Sequence, residues 1–352
     1  MSRQKLGQHF LSNPAWRQRI ARTLPADANT TWLEIGPGHG EMTEFLAQRA
    51  HSVIAVEADA ALAAILRERA AMEWPNVEIV ESDILSVDLA ELVSSPLGHP
   101  RKGTAFYPAC PDEGREERRA AVPNEAAIGA PSGPEVGPHV PRTHQALATS
   151  FVGRGFSRDK KARSHSGALA PEVHTENEPQ AHTIDRFRVY GNLPYYITSP
   201  ILSHLFQFTA QISSIHIVIQ WEVAARIVAT PGHREYAYLS ALCQYFTQPE
   251  IVLRIPPGAF LPPPKVNSAL LAMTFPGNRE QLHLRDDGAF LKFLQNCFSH
   301  KRKTLRNNLK NIFSDEEIAS ALASCQLTPK SRAEELSLPQ FTQLHRLLAP
   351  EK

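Results

Sequence analysis

Short apolar runs alternating with helical stretches constrain this chain more than any other feature. Thr31 to Ile35, Ser52 to Val56 and Val77 to Val80 read as three strands. Between them, Glu41 to Arg49 and Ala60 to Met72 carry helical periodicity. This β-α-β-α-β order predicts a doubly wound α/β sheet. The pattern resumes with a strand at Arg186 to Tyr190, a helix near Pro200 to Phe208 and a strand at Ser214 to Ile219. Glu250 to Ile255 and Ser268 to Phe275 are two further β-rich runs, and the stiff proline-rich link between them suits a hairpin-like last pair. From Asp286 onward the chain reads as helical, with helices expected over Gly288 to His300, Ser314 to Ser324 and Pro339 to Leu348.

Residues 94–185 interrupt this order. They hold 9 of the 18 glycines and 11 of the 28 prolines but only 4 of the 27 aromatics, and no tryptophan. Such a segment cannot bury enough apolar surface to offset chain entropy, so it reads as a low-complexity, mostly disordered insertion. The basic residues Arg115, Arg118, Arg119, Arg154, Arg158, Lys160, Lys161 and Arg163 fall within it, and a solvated, passive loop is the default reading.

The net charge is +1, so any nucleic-acid surface must be a local patch. Cys110, Cys243, Cys297 and Cys325 form no C-x-x-C pair, and their spacing suggests neither a metal site nor a disulfide framework. The N-terminus carries no apolar signal region and no stretch approaches a membrane span, so a cytoplasmic protein is expected.

Three acidic or glycine-rich positions fall at successive strand ends. Glu34-Ile35-Gly36-Pro37-Gly38-His39-Gly40 gives a tight turn through which the backbone can approach a ligand. Glu57 ends the second strand, where a carboxylate can accept both ribose hydroxyls of an adenosine-containing cofactor. Asp83 follows the third strand and can accept from an adenine amino group. The fourth strand ends in Asn192-Leu193-Pro194-Tyr195, an amide, a fixed carbonyl and an aromatic ring suited to holding a planar amino-base. A basic run follows, with Lys301, Arg302, Lys303, Arg306 and Lys310 and no acid between His300 and Lys310. If helical, it would grip phosphates over a broad arc.

These residues resemble the class I S-adenosylmethionine-dependent methyltransferases that methylate amino groups. Lys5 to Leu11, Phe260 to Val266 and Phe298 to Leu309 narrow the likeness to the ribosomal RNA small-subunit adenine dimethyltransferase family. The resemblance covers nearly everything outside the insertion. It implies a Rossmann-like, mostly parallel seven-stranded sheet over residues 1–277 and a small all-α RNA-binding domain over 278–352. It implies S-adenosyl-L-methionine as cofactor, with His9, Leu11, Gly36, Gly38, Glu57, Asp83 and Asn192 around it. Asn192, Leu193, Pro194, Tyr195 and Phe260 would hold the target adenine, and the basic run would contact RNA. The implied substrate is two adjacent adenines in a hairpin near the 3′ end of small-subunit rRNA, in a pre-ribosomal particle, and a monomer is expected. His9 stands where asparagine is common in the family, Asn267 where aspartate is frequent and His300 where glutamine is common.

Three other readings compete with this one. A large-subunit rRNA adenine methylase of the resistance type tends to carry isoleucine at the position of Leu193. A DNA adenine methylase typically begins its tetrapeptide with aspartate. A non-catalytic assembly or transcription factor on the same fold is disfavoured by intact Glu57, Asp83 and Asn192.

Overall fold

The computed structural model describes residues 9–25, 27–94 and 186–349. The N-terminal part runs α1 (Pro14–Thr23), β1 (Asp27–Ile35), α2 (Thr43–Ala47), β2 (Ala50–Glu57), α3 (Ala60–Glu73), β3 (Val77–Glu81) and α4 (Leu89–Ser94). After the insertion come β4 (Phe187–Asn192), α5 (Thr198–Leu205), β5 (Ile212–Gln220), α6 (Trp221–Val228), α7 (Tyr238–Phe246), β6 (Gln248–Ile255) and β7 (Ser268–Thr274). The chain closes with α8 (Arg279–Leu282), α9 (Asp287–Cys297), α10 (Leu305–Leu309), α11 (Asp315–Ser324) and α12 (Leu338–Leu348). The expected disorder of the insertion, and its basic residues, lie outside the described residues.

The seven strands form one sheet in the order β3-β2-β1-β4-β5-β7-β6. The first five are parallel to their neighbours, and β7 runs antiparallel to both β5 and β6. The expected last pair therefore exists, with β7 inserted between β5 and β6. Because strand side chains alternate between faces, each central strand feeds two apolar layers. Leu33, Ile35, Val189, Ile215, Ile217 and Ile219 enter one cluster, whereas Trp32, Val53, Tyr190 and Val218 enter the other.

Helix starts follow local chemistry. Asn13 accepts from the N–H groups of Ala15 and Trp16 ahead of Pro14, Asp59 caps α3, and Ser314 with Glu317 forms a capping box on α11. The helices expected from residue 278 on are present. Their large side chains, among them Phe290, Leu294, Phe341 and Leu344, run into the same buried cluster as the strand residues of that face.

The basic run is not one continuous helix. Lys301, Arg302 and Lys303 lie in an exposed turn after α9. The Thr304 side chain accepts from the Asn307 N–H and starts α10 only at Leu305. Arg306, on that helix, is paired with Asp315 at 3.0 Å, and Lys310 caps its C-terminus.

Candidate active site

Parallel strands place their C-terminal ends along one edge, and the order reverses between β1 and β4. Open α/β sheets bind ligands in the crevice at such a switch point. A cleft of about 1050 Å³, partly open to solvent, occupies this place, and Ile35, Gly36, Glu57, Asp83, Asn192 and Tyr195 are among its lining residues.

The glycine turn forms one wall. Gly36 and Gly38 both have positive φ, 64° and 63°, a conformation side chains rarely tolerate. A Cβ on Gly38 would lie 3.1 Å from the Phe10 ring, so the turn can sit against the N-terminal segment only as glycine. Glu57 is buried and fixed by backbone donors: Oε2 accepts from Gly38 N–H at 3.2 Å and Oε1 from Asp59 N–H at 2.9 Å. Each oxygen keeps a second lone pair for a ligand hydroxyl. Asp83 is exposed at the rim and uses Oδ1 to accept from Leu85 N–H at 3.0 Å, which leaves Oδ2 for a ligand donor.

The opposite wall is the tetrapeptide. Asn192 Nδ2 donates to the His9 carbonyl at 2.8 Å. That bond sets the amide orientation and leaves Oδ1 as the end available to accept. Leu193 is buried and donates its N–H to Val218. The Pro194 carbonyl accepts from Ile197 N–H, closing a turn. Tyr195 bonds Ser268 Oγ through its hydroxyl at 2.7 Å, and its ring lies 5.5 Å from the His9 ring. Burial raises the Tyr195 pKa, so the hydroxyl stays neutral.

The N-terminal segment ties these parts together. Phe10 and Leu261 exchange backbone hydrogen bonds, and His9 Nδ1 donates to the Pro262 carbonyl at 2.7 Å. His9 therefore lines the cleft with one ring nitrogen already engaged.

Two expected residues are placed elsewhere. Leu11 and Phe260 are each 3% exposed, belong to one apolar cluster and do not line the cleft. The cause for Phe260 is strand-like alternation. Its backbone is extended, so its side chain points inward while that of the neighbouring Leu261 points out. Residues that sequence reading passed over include Phe10, Asp59, Ser82 and Tyr196 in the lining, and Ser268 behind Tyr195. Tyr196 and Ser268 each adjoin a motif already singled out, which was the available signal.

A carboxylate for ribose hydroxyls, a rim acid for an amino group and a glycine cradle fit S-adenosylmethionine. Fold and site together define an S-adenosylmethionine-dependent methyltransferase. The family model described as "Ribosomal RNA adenine dimethylase" matches residues 1–350. The chain belongs to the ribosomal RNA adenine dimethylase family. It is 33% identical over 344 residues to a "Ribosomal RNA small subunit methyltransferase A" of Koribacter versatilis, covering 98% of this chain and 93% of that one. Among solved structures, a dimethyladenosine transferase from Plasmodium falciparum shares the fold with a TM-score of 0.57, 18% identity and 96% of each chain covered. The 23S rRNA methyltransferase ErmE shares it with a TM-score of 0.54, 19% identity and coverage of 96% of this chain and 99% of that one.

Proposed function

We propose that this chain dimethylates the N6 amino groups of two adjacent adenines in a hairpin near the 3′ end of small-subunit rRNA. It acts as a monomer on a pre-ribosomal particle in the cytoplasm, and the Lys301–Lys303 turn contacts the RNA backbone. The observation that carries the chemistry is the Asn192 amide, whose nitrogen is bound to the His9 carbonyl so that its oxygen accepts from the substrate. The names of relatives such as that of Koribacter versatilis support the small-subunit substrate.

An adenine amino group is a poor nucleophile because its lone pair is delocalised into the ring. Asn192 Oδ1 and the Leu193 carbonyl accept its two N–H bonds, favouring a pyramidal nitrogen with its lone pair directed at the donor. Proline fixes φ at position 194 and stiffens that carbonyl. The Tyr195 ring stacks on the base, held in place through Ser268 and His9. S-adenosylmethionine supplies a methyl group on an already activated sulfonium. Positioning and electrostatics by the protein therefore account for the acceleration. Gly36, Gly38, Glu57 and Asp83 bind the cofactor. The base must come from a single-stranded loop or leave its stack.

Asn192→Ala is expected to abolish transfer from labelled cofactor to unmethylated small subunits while cofactor affinity stays within about tenfold, roughly 1.4 kcal/mol. Wild-type turnover in that variant would contradict the assigned role. Transfer by the wild type to large-subunit RNA instead would overturn the substrate.

A further inference from the structure

Tyr196 lines the cleft yet is 72% exposed. Among the described residues it is the one aromatic among the large hydrophobic side chains that stand exposed. An aromatic ring left in water at the mouth of a ligand site calls for a reason, because burial of such a ring is strongly favourable. Its chain neighbour shows how it came to be there. The hydrogen bond from Ile197 N–H to the Pro194 carbonyl closes a turn with Tyr195 and Tyr196 at its two central positions. Tyr195 turns inward to Ser268 and His9, and Tyr196 turns out to solvent.

The segment after Phe260 is bonded to three residues that line the cleft, His9, Phe10 and Tyr195. It is fixed there by the Phe10–Leu261 backbone pair, by His9 on Pro262 and by Tyr195 on Ser268. It leaves Leu261 65% and Val266 37% exposed, with Lys265 exposed beside them. The acids Glu57, Asp59 and Asp83 are among the residues lining the cleft, whereas the 261–266 segment carries exposed apolar surface and a cation. Such a combination suits a nucleobase with its phosphate.

We propose that Tyr196 is a stacking platform for the nucleobase next to the target adenine, with Leu261 and Val266 as apolar rim and Lys265 facing the intervening phosphate. The proposal rests on the adenine-methylating reading and extends it to a second nucleotide subsite. Adjacent Cα atoms are about 3.8 Å apart, so rings leaving Tyr195 and Tyr196 in different directions can take two successive, splayed bases. Stacking is blind to base identity, so the platform holds whichever base follows the target and keeps the strand from re-closing. A pair of adjacent target adenines then has one base in the pocket and the other on the platform.

The test compares the full-length wild type with Tyr196→Ala and Tyr196→Phe on unmethylated small subunits. Tyr196→Ala is expected to raise KM for the particle about tenfold, and Tyr196→Phe to stay within about twofold of wild type. Calorimetry should give an unchanged affinity for S-adenosylmethionine in both. In a second arm, a hairpin RNA carries 2-aminopurine beside the target adenine. Its fluorescence should be quenched on binding to wild type and Tyr196→Phe but not to Tyr196→Ala. An unchanged KM and quench in Tyr196→Ala would overturn the platform. Equal losses in the phenylalanine variant would assign the effect to the hydroxyl, and a loss of cofactor affinity alone would assign the ring to the cofactor; either defeats the proposal. Absence of methyl transfer by the wild type would defeat the functional reading, while the fluorescence arm would still decide the stacking.

Discussion

Glu34 ends up buried beneath the glycine turn with Oε2 lacking a hydrogen-bond partner. Burial pushes its pKa up from 4.5 to about 8, with Glu41 and Glu57 adding repulsion and Thr43 opposing. It is therefore a neutral acid at physiological pH, which limits the negative charge under the cleft. The folded state keeps this proton up to about pH 8, whereas the unfolded chain releases it above 4.5. Stability from this group is full below the unfolded value, falls as pH rises through the window and is flat beyond it. Glu34→Gln cannot ionise, so its stability relative to wild type should grow across that window, by on the order of 5 kcal/mol, and then plateau. Urea midpoints measured for both proteins across the range check this, and a pH-independent difference would show that the carboxyl titrates normally. The same burial logic acts on His216, whose pKa is lowered to about 4 by desolvation and by Arg188. Since both proteins share that histidine, it cancels from the comparison.

Single elements carry the next expectations. Gly40 closes the glycine turn at φ 83°, and an added Cβ would stand 2.8 Å from the Trp74 ring and 3.1 Å from Leu66. Gly40→Ala should cost about 2–3 kcal/mol, visible as a lower Tm, because both the backbone and a packed side chain must give way. For the basic run, each of Lys301→Ala, Arg302→Ala and Lys303→Ala should weaken RNA binding and lower the salt slope by about one. Arg306→Ala should do less, since that guanidinium already serves Asp315. Equal slopes for all four would show that the turn and the helix contact RNA alike. The turn was not legible in the residue types, because charge alone does not separate a helix face from a loop; the Thr304 cap decides it. The strands were legible, as alternating or continuous apolar runs between turns. Helix α7 was not, because seven of its nine residues are buried and no polar face marks its period. Helix α6 follows β5 directly without a capping side chain, so nothing announced its start. At the site, strand ends located Glu57, Asp83 and Asn192. The inward turn of Leu11 and Phe260 depends on how two distant segments pair, which motif spacing does not encode.

At the scale of the whole molecule, the sheet is stitched from both sides of the insertion. β1 pairs with β2 on one side and with β4, from beyond the insertion, on the other. His204 of α5 also reaches back to the Val87 carbonyl at 3.0 Å. The two parts are thus joined by backbone pairing and side-chain contact, which do not call on residues 97–182. Among the described residues, the cleft is lined from both sides of the segment, by positions from His9 to Ile84 and from Asn192 to Ile201. Deleting residues 97–182 leaves a connection between Ser94 and Arg186 of a length ordinary for α/β units, about 2–6 residues. A shorter connection costs less entropy to close, so the truncated protein should be as stable as the full chain or more so, by on the order of 1–2 kcal/mol. Its turnover on unmethylated small subunits should stay within a few-fold of wild type, and its cofactor affinity should be unchanged. Calorimetric unfolding, cofactor titration and methyl transfer on the truncated protein measure the three quantities. Loss of folding would show that the segment holds the sheet together. Retained folding and cofactor binding with a raised KM for the particle would show that its arginines and lysines help to grip the RNA.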